Sequence, residues 1–157
     1  MGRVEAAKGL HILMEAIKQR PRLPIKLDVY TIIQESLLYA DNLRGNARND
    51  PRIEFFASIP NRDVVARLHS YDALAVPSLV METGPLVVYD AFSAGIPVIG
   101  SKRGGIAELV THERDGLLVA PGDVGAWSDA FERLAGDHGL RAQLRQGVRR
   151  PRSMAAV

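Results

Sequence analysis

Residues 77–123 read PSLVMETGPLVVYDAFSAGIPVIGSKRGGIAELVTHERDGLLVAPGD, and the pattern of this segment indicates the fold class. Two helical and two strand patterns alternate within it, over residues 86–94 and 106–110 and over residues 97–100 and 116–119, respectively. Short apolar strands that alternate with helices require crossover connections between parallel strands. The stretch therefore predicts a parallel sheet covered by helices on both faces.

The rest of the chain continues this alternation. Within residues 8–20, apolar residues recur at the spacing of one helical face, at Leu10, Leu13, Met14 and Ile17. Further patterns predict strands over residues 25–30, 52–56 and 73–76, helices around 37–43 and over 62–69, 124–134 and 140–148, and a loop from Gly45. Asn61 is the predicted N-cap of the helix that follows it. We expect one α/β domain over residues 1–157, a doubly wound, Rossmann-like three-layer domain with a mostly parallel sheet.

The composition is that of a globular domain and excludes several classes of site. The chain has 157 residues, of which 46% are hydrophobic, and no apolar run approaches the length of a membrane span, so we expect a cytoplasmic protein without a transmembrane segment. The absence of cysteine excludes disulfides, thiolate metal ligands and cysteine nucleophiles. The four histidines are not at metal-ligand spacing. Aromatic residues make up only 6%, and the basic segment 141–152 contains none, so nucleic acid is not an expected partner.

Two carboxylates mark the expected ligand site. Doubly wound sheets bind ligands beyond the carboxyl ends of their strands, here the loops after Val4, Tyr30, Phe56, Val76, Gly100 and Val119. Glu82 lies in one of these loops, and Asp90 lies one turn inside the helix that opens at Leu86. Because helical side chains lean towards the N-terminus, we expect both carboxylates to face the mouth near Gly84. A helix N-terminus suits a diphosphate, and carboxylates suit vicinal hydroxyls.

The same residues allow a simpler interpretation. Glu82 could be a solvated loop acid, and Asp90 could do no more than interact favourably with the helix dipole. Lys102 and Arg103 follow a strand end beside Gly104 and are further candidates to approach a phosphate, but solvated loop cations are an equal alternative.

The order of the motifs resembles that of a known family. It is similar to the C-terminal domain of the retaining, nucleotide-sugar-dependent glycosyltransferases of the GT-B fold, the group 1 family that includes the glycogen synthases. The residues that carry the resemblance are Gly2, Arg3, Lys8 and Gly9, Asp72 to Ser78, the two acids Glu82 and Asp90, residues 94–98, 104–108 and 115–118, and Pro121, Gly122 and Asp123. The resemblance implies that the chain is one half of a GT-B fold and binds a nucleoside-diphosphate sugar.

The resemblance also implies roles for individual residues. Arg3 and Lys8 would hold the donor diphosphate, Glu82 would be the catalytic residue that contacts the transferred sugar, and Asp90 stands where the family usually has a glutamate that binds the ribose diol. Pro85 has no N–H to donate. The backbone donors to the diphosphate would therefore be Gly84, Leu86 and Val87. Fixed cations and a helix N-terminus stabilise a leaving diphosphate without a metal, so no cofactor is expected.

The resemblance implies a larger enzyme. Family members carry the acceptor site on a separate N-terminal domain, so we expect that domain to be absent from this chain and the chain alone to be inactive in the glycosyl transfer of polysaccharide biosynthesis. Apolar residues of the exposed cleft could then drive self-association. Two alternatives stay open: a non-catalytic module that binds nucleotide sugars or partners, and, more distantly, a sugar epimerase or phosphorylase.

Overall fold

A computed structural model describes residues 2–3, 6–32 and 37–151. Its elements in chain order are β1 (Gly2–Arg3), a 3-10 turn (Ala6–Lys8), α1 (Leu10–Lys18), β2 (Leu27–Ile32), α2 (Leu37–Ala47), β3 (Ile53–Ala57), α3 (Asn61–Leu68), β4 (Leu74–Val76), α4 (Leu86–Ser93), β5 (Val98–Ser101), α5 (Gly104–Leu109), β6 (Gly116–Val119), α6 (Val124–Gly136) and α7 (His138–Gly147). The alternation of strands and helices predicted from the sequence is confirmed.

All described strand pairs are parallel, as a doubly wound fold requires. The strands fall into two three-stranded ladders, in the orders β1-β2-β3 and β4-β5-β6. The segments that follow β1 and β4 are joined directly, because the Leu79 N–H donates to the Ala7 carbonyl at 2.8 Å. This bond brings the carboxyl ends of strands from the two ladders to one place.

The hydrophobic core lies in two clusters. In the first, α1 packs against α6, with Leu13, Ile17, Trp127 and Phe131 all buried. The Trp127 and Phe131 rings lie 5.7 Å apart between centroids. The second cluster holds α4 and α5 against β4 and β5. Burial of apolar area on this scale is the main force that fixes the helices on the strands.

Three sequence-based details differ from the structure. Asn61 is already helical and Pro60, with a ψ of 143°, occupies the N-cap, so the predicted cap is wrong; the missing N–H of proline is tolerated at the start of a helix, where an N–H has no acceptor inside the helix. α2 includes Gly45 because Leu43 and Ala47, one turn apart, are both buried and hold the helix together. Val148 lies beyond the end of α7, with extended backbone.

Arg52 joins the end of α1 to the start of β3. Its guanidinium donates to the carbonyls of Ile17 (2.9 Å), Arg20 (2.8 Å) and Leu23 (3.1 Å), and it is bound on its other side by the Asp50 carboxylate at 2.7 and 2.9 Å. The hydrogen bond from Arg52 is the main reason that the pKa of Asp50 lies below its ordinary value. Each of these carbonyls also accepts a backbone N–H, so Arg52 adds a second, charge-assisted hydrogen bond to the carbonyls of the turn that follows α1.

We predict that Arg52→Ala lowers the free energy of unfolding by about 2 kcal/mol, because it removes the charge-assisted hydrogen bonds to three carbonyls and leaves the Asp50 carboxylate without its guanidinium partner. Urea denaturation measures the change. Arg48→Ala, at an exposed position four residues earlier, is the control. An equal loss in both variants would contradict the capping role of Arg52.

Candidate functional site

A small polar cluster lies where the segments after β1 and β4 meet. The Lys8 Nζ is 2.6 Å from Glu82 Oε1, and the Ser78 hydroxyl donates to the same oxygen at 2.8 Å. Ser78 is buried, whereas the side chains of Lys8 and Glu82 keep 41% and 22% of their exposure. The structure thus brings together Lys8 and Glu82, two of the residues singled out from the sequence, and adds Ser78.

The environment of Glu82 keeps it ionised. Burial alone would raise the pKa of this carboxyl, but the hydrogen bonds from Lys8 and Ser78 and the charge of Lys8 together hold it below its ordinary value. Within the described residues, hydrogen bonds reach Oε1 and leave Oε2 as an acceptor for a ligand hydroxyl.

Gly9 sets the position of Lys8. Its φ of +78° lies in the left-handed region, and a Cβ built on it would collide with the Pro77 carbonyl oxygen. The turn that carries Lys8 therefore rests directly on the end of β4. In the sequence, Gly9 is recognisable as part of a motif. The residues around it give no indication that its backbone contacts Pro77.

The N-terminus of α4 opens beside the cluster. Pro85 is the N-cap, and Gly84 before it adopts a positive φ of +62°. The Val88 N–H bonds back to the Pro85 carbonyl at 3.1 Å, while Leu86 and Val87 occupy the first positions, where an N–H has no acceptor inside the helix. Free N–H groups and the positive end of the helix dipole make this a place for an anion.

Two sequence-predicted residues are not joined to this cluster by the described contacts. Asp90 lies on α4, where partial burial raises the pKa of its carboxyl, and it is not among the residues that line the adjoining cavity. The backbone of Arg3 pairs with Ile32, but its side chain, like all of Val4, lies outside the described residues. The donor contacts expected of Asp90 and Arg3 stay predictions.

Arg103 has a structural partner. Its Nη1 donates to the Leu79 carbonyl at 2.6 Å, which ties the loop between β4 and α4 to the start of α5. A second tie is the Gly105 N–H, which donates to the Glu82 carbonyl at 2.6 Å. The basic residue considered for phosphate contact thus supports the loop that carries Glu82.

A cavity of about 1150 Å³ extends from the cluster between β2 and β4. Its mouth is lined by Lys8, Ser78, Glu82, Pro85, Leu86 and Val87. Elsewhere in the lining, Tyr71 donates to Asp28 at 2.7 Å and its hydroxyl lies 2.6 Å from that of Tyr30. Burial is the main reason that the pKa of Tyr71 is raised. The mouth, which holds the charged cluster and the helix N-terminus, is the part suited to a charged ligand.

Large apolar side chains are exposed on α4 and on the loop before it. Met81 and Leu86 are 73% and 77% exposed, and Val80 and Tyr89 are also exposed. A patch of this kind beside a ligand site is typical of a surface that contacts another molecule or domain. No helix within residues 6–32 and 37–151 is long and apolar enough to cross a lipid bilayer.

Comparisons with known proteins agree on one family. Residues 1–150 match the family model described as glycosyl transferases group 1. The D-inositol 3-phosphate glycosyltransferase of Salinispora arenicola is 36% identical over 160 residues, which cover 96% of this chain and 36% of that enzyme. The same enzyme of Pseudarthrobacter chlorophenolicus is 27% identical, over 91% of this chain and 35% of its own length. The chain spans about a third of the length of these relatives.

Solved structures share the fold. Anabaena HepE, in complex with UDP, superimposes with a TM-score of 0.83 at 24% identity and covers 94% of this chain, which corresponds to 42% of that protein. Sucrose-phosphate synthase from Thermosynechococcus elongatus gives a TM-score of 0.78 at 27% identity, over 93% of this chain and 38% of its own. The parallel α/β fold expected from the sequence is therefore that of a GT-B glycosyltransferase domain.

We predict that Lys8→Met raises the pKa of Glu82 above its ordinary value, because burial persists when the cation is removed. NMR titration of the glutamate side-chain carboxyls measures the change. Lys18→Met, at the far end of α1, is the control and should leave Glu82 unaltered. An unchanged pKa in Lys8→Met would mean that the ion pair does not hold the carboxylate in solution.

Proposed function

Since the chain belongs to the glycosyl transferases group 1 family, we propose that it is the donor-binding part of a retaining glycosyltransferase and holds a nucleoside-diphosphate sugar at the Lys8–Glu82 cluster. The observation that carries this proposal is the position of an ammonium and an ionised carboxylate side by side at the N-terminus of α4. A ligand that contains both an anion and several hydroxyls requires both groups, the ammonium for the anion and the carboxylate for the hydroxyls.

The diphosphate would bind at the positive side of the cluster. Lys8 supplies a fixed cation, and the N–H groups of Leu86 and Val87, with Gly84 before them, supply neutral donors at the helix N-terminus. The bond between the anomeric carbon and the diphosphate oxygen breaks in the transfer, and its electron pair stays on the leaving diphosphate. Lys8 and the helix N-terminus oppose that growing negative charge, so no metal is needed.

Glu82 would bind the sugar. Its Oε1 binds Lys8, and Oε2 would accept a hydrogen bond from a sugar hydroxyl. When a diphosphate binds Lys8, the ion pair between Lys8 and Glu82 weakens. A hydrogen bond from a sugar hydroxyl to the Glu82 carboxylate would compensate for that loss. The site thus binds the two parts of the donor in a coupled way.

The ribose and the acceptor complete the proposed reaction. We assign the ribose diol to Asp90, whose carboxylate is one methylene shorter than the family's usual glutamate, and a second diphosphate contact to Arg3. The new bond joins an acceptor oxygen to the anomeric carbon as the acceptor hydroxyl loses its proton. Because the chain spans about a third of its relatives, we place the acceptor site in the remainder of such an enzyme and expect this chain alone to bind without turnover.

A non-catalytic module that binds nucleotide sugars is the alternative function. Pro85 favours it, because a proline at the N-cap removes one N–H from the anion site. Transfer of sugar from a bound donor by a chain extended to the length of the relatives would exclude this alternative.

Calorimetry with UDP, GDP and ADP, in the absence of metal, tests the donor site. UDP is the first probe because the HepE structure contains it. We predict that Lys8→Ala weakens nucleoside-diphosphate binding by about tenfold or more, the loss typical of a charge-assisted hydrogen bond. Glu82→Gln should strengthen it by about threefold, because it removes a competitor for the ammonium. Lys18→Ala is the control. Unaltered binding in Lys8→Ala would contradict the assignment.

Asp90 has a separate test. If it binds the ribose diol, the chain should bind UDP more tightly than 2′-deoxy-UDP, and Asp90→Ala should abolish that difference by weakening UDP alone. The same calorimetric titrations give the ratio of dissociation constants. A ratio that persists in Asp90→Ala would assign the ribose contact to another group.

A further inference from the structure

We infer that Gly105 is a positioning residue for Glu82: its missing side chain lets the start of α5 lie against the backbone of Glu82 and so fixes the carboxylate beside Lys8. This inference rests on the proposed role of Glu82. Gly105 is buried and does not line the cavity, so it acts through Glu82 and not on the ligand.

The loop that carries Glu82 is held in place by hydrogen bonds to other segments of the chain. Within it, the described backbone hydrogen bonds run to other segments, from Leu79 N–H to the Ala7 carbonyl and from Gly105 N–H to the Glu82 carbonyl. The Arg103 guanidinium adds the bond to the Leu79 carbonyl. The bond from Gly105 is the one that reaches the functional residue itself.

The fit at Gly105 leaves no room for a side chain. A Cβ built there would lie 2.7 Å from the Glu82 carbonyl oxygen, 2.8 Å from Pro85 Cδ and 3.0 Å from Gly84 N. These atoms belong to the backbone and to a proline ring, and none can rotate away. Gly104 adds to the closeness, because it has a positive φ and its Cβ would lie 3.0 Å from the same oxygen.

A displaced loop would break the cluster. The Glu82 carboxylate is held by two bonds, at 2.6 Å to Lys8 and 2.8 Å to Ser78, and hydrogen bonds of this length weaken steeply when the atoms separate. A shift of a few tenths of an ångström at the Glu82 backbone would therefore lengthen the hydrogen bonds of its carboxylate to Lys8 and Ser78. The packing of the hydrophobic core would be affected less. The glycine pair of the sequence motif thus acts as a support for the sugar-binding acid.

The test compares Gly105→Ala with Gly136→Ala, whose added methyl group meets open space. Two readouts are measured on each: the pKa of Glu82 by carboxyl NMR, and the ratio of dissociation constants for UDP and UDP-glucose. We expect Gly105→Ala to raise the pKa of Glu82 by weakening the pair with Lys8, and to bring the ratio close to one. In the Glu82→Gln background, Gly105→Ala should not change the ratio of dissociation constants further. The effects of two substitutions that act through the same group are not additive.

The outcomes separate this inference from the proposed function. A raised pKa of Glu82 in a chain that binds neither UDP nor UDP-glucose supports the positioning role and overturns the donor site. An unchanged pKa, or a loss that adds fully to that of Glu82→Gln, overturns the positioning role. If Gly105→Ala does not fold, Arg103→Met removes the neighbouring tie without a clash and should move both readouts in the same direction; no movement in either overturns the inference.

Discussion

The contact between the Lys8 ammonium and the Glu82 carboxylate connects two strand ladders as well as two side chains. Lys8 follows β1 and Glu82 follows β4, so the pair spans 74 positions of sequence. Beneath it, the backbone bond between Leu79 and Ala7 and the close approach of Gly9 to Pro77 hold the two segments together. The site is therefore built at the junction of the fold, and whatever keeps the junction in register also keeps the two charges in contact.

The Lys8–Glu82 pair has the two kinds of group that the proposed ligand requires. A partly buried carboxylate is costly without a cation, and a cation at the mouth of a cavity attracts anions. We propose that each group satisfies the other until a ligand that carries both negative charge and hydroxyls replaces the pair. Exposed apolar residues, Met81 and Leu86 above all, lie on the same loop and helix as this charged pair and form a surface suited to contact with another molecule or domain. That arrangement agrees with a chain that spans a third of its relatives.

The sequence predicts more of the fold than of the support around the site. Periodicity reflects local structure. For that reason the alternation of strands and helices is predictable, and so is the position of Glu82 in a loop after a strand. Contacts between distant segments leave no such pattern. Nothing local to Arg52 reveals that it binds the carbonyls at the end of α1, and Gly105 reads as a flexible glycine until the backbone of Glu82 is found against it. Asn61 is the reverse case: its good capping propensity predicts an N-cap, but the N-cap falls one residue earlier, at Pro60, whose missing N–H is tolerated there.

We propose that the Lys8–Glu82 cluster at the N-terminus of α4 binds a nucleoside diphosphate. Titration of the ¹⁵N-labelled chain with UDP, followed by amide chemical shifts, tests it most directly. We expect saturable shifts that concentrate at Gly9, Ser78, Gly84, Leu86 and Val87 and that vanish in Lys8→Ala. Shifts confined to the part of the cavity around Tyr30 and Tyr71, or no saturable shifts with UDP, GDP or ADP, would contradict binding at this cluster.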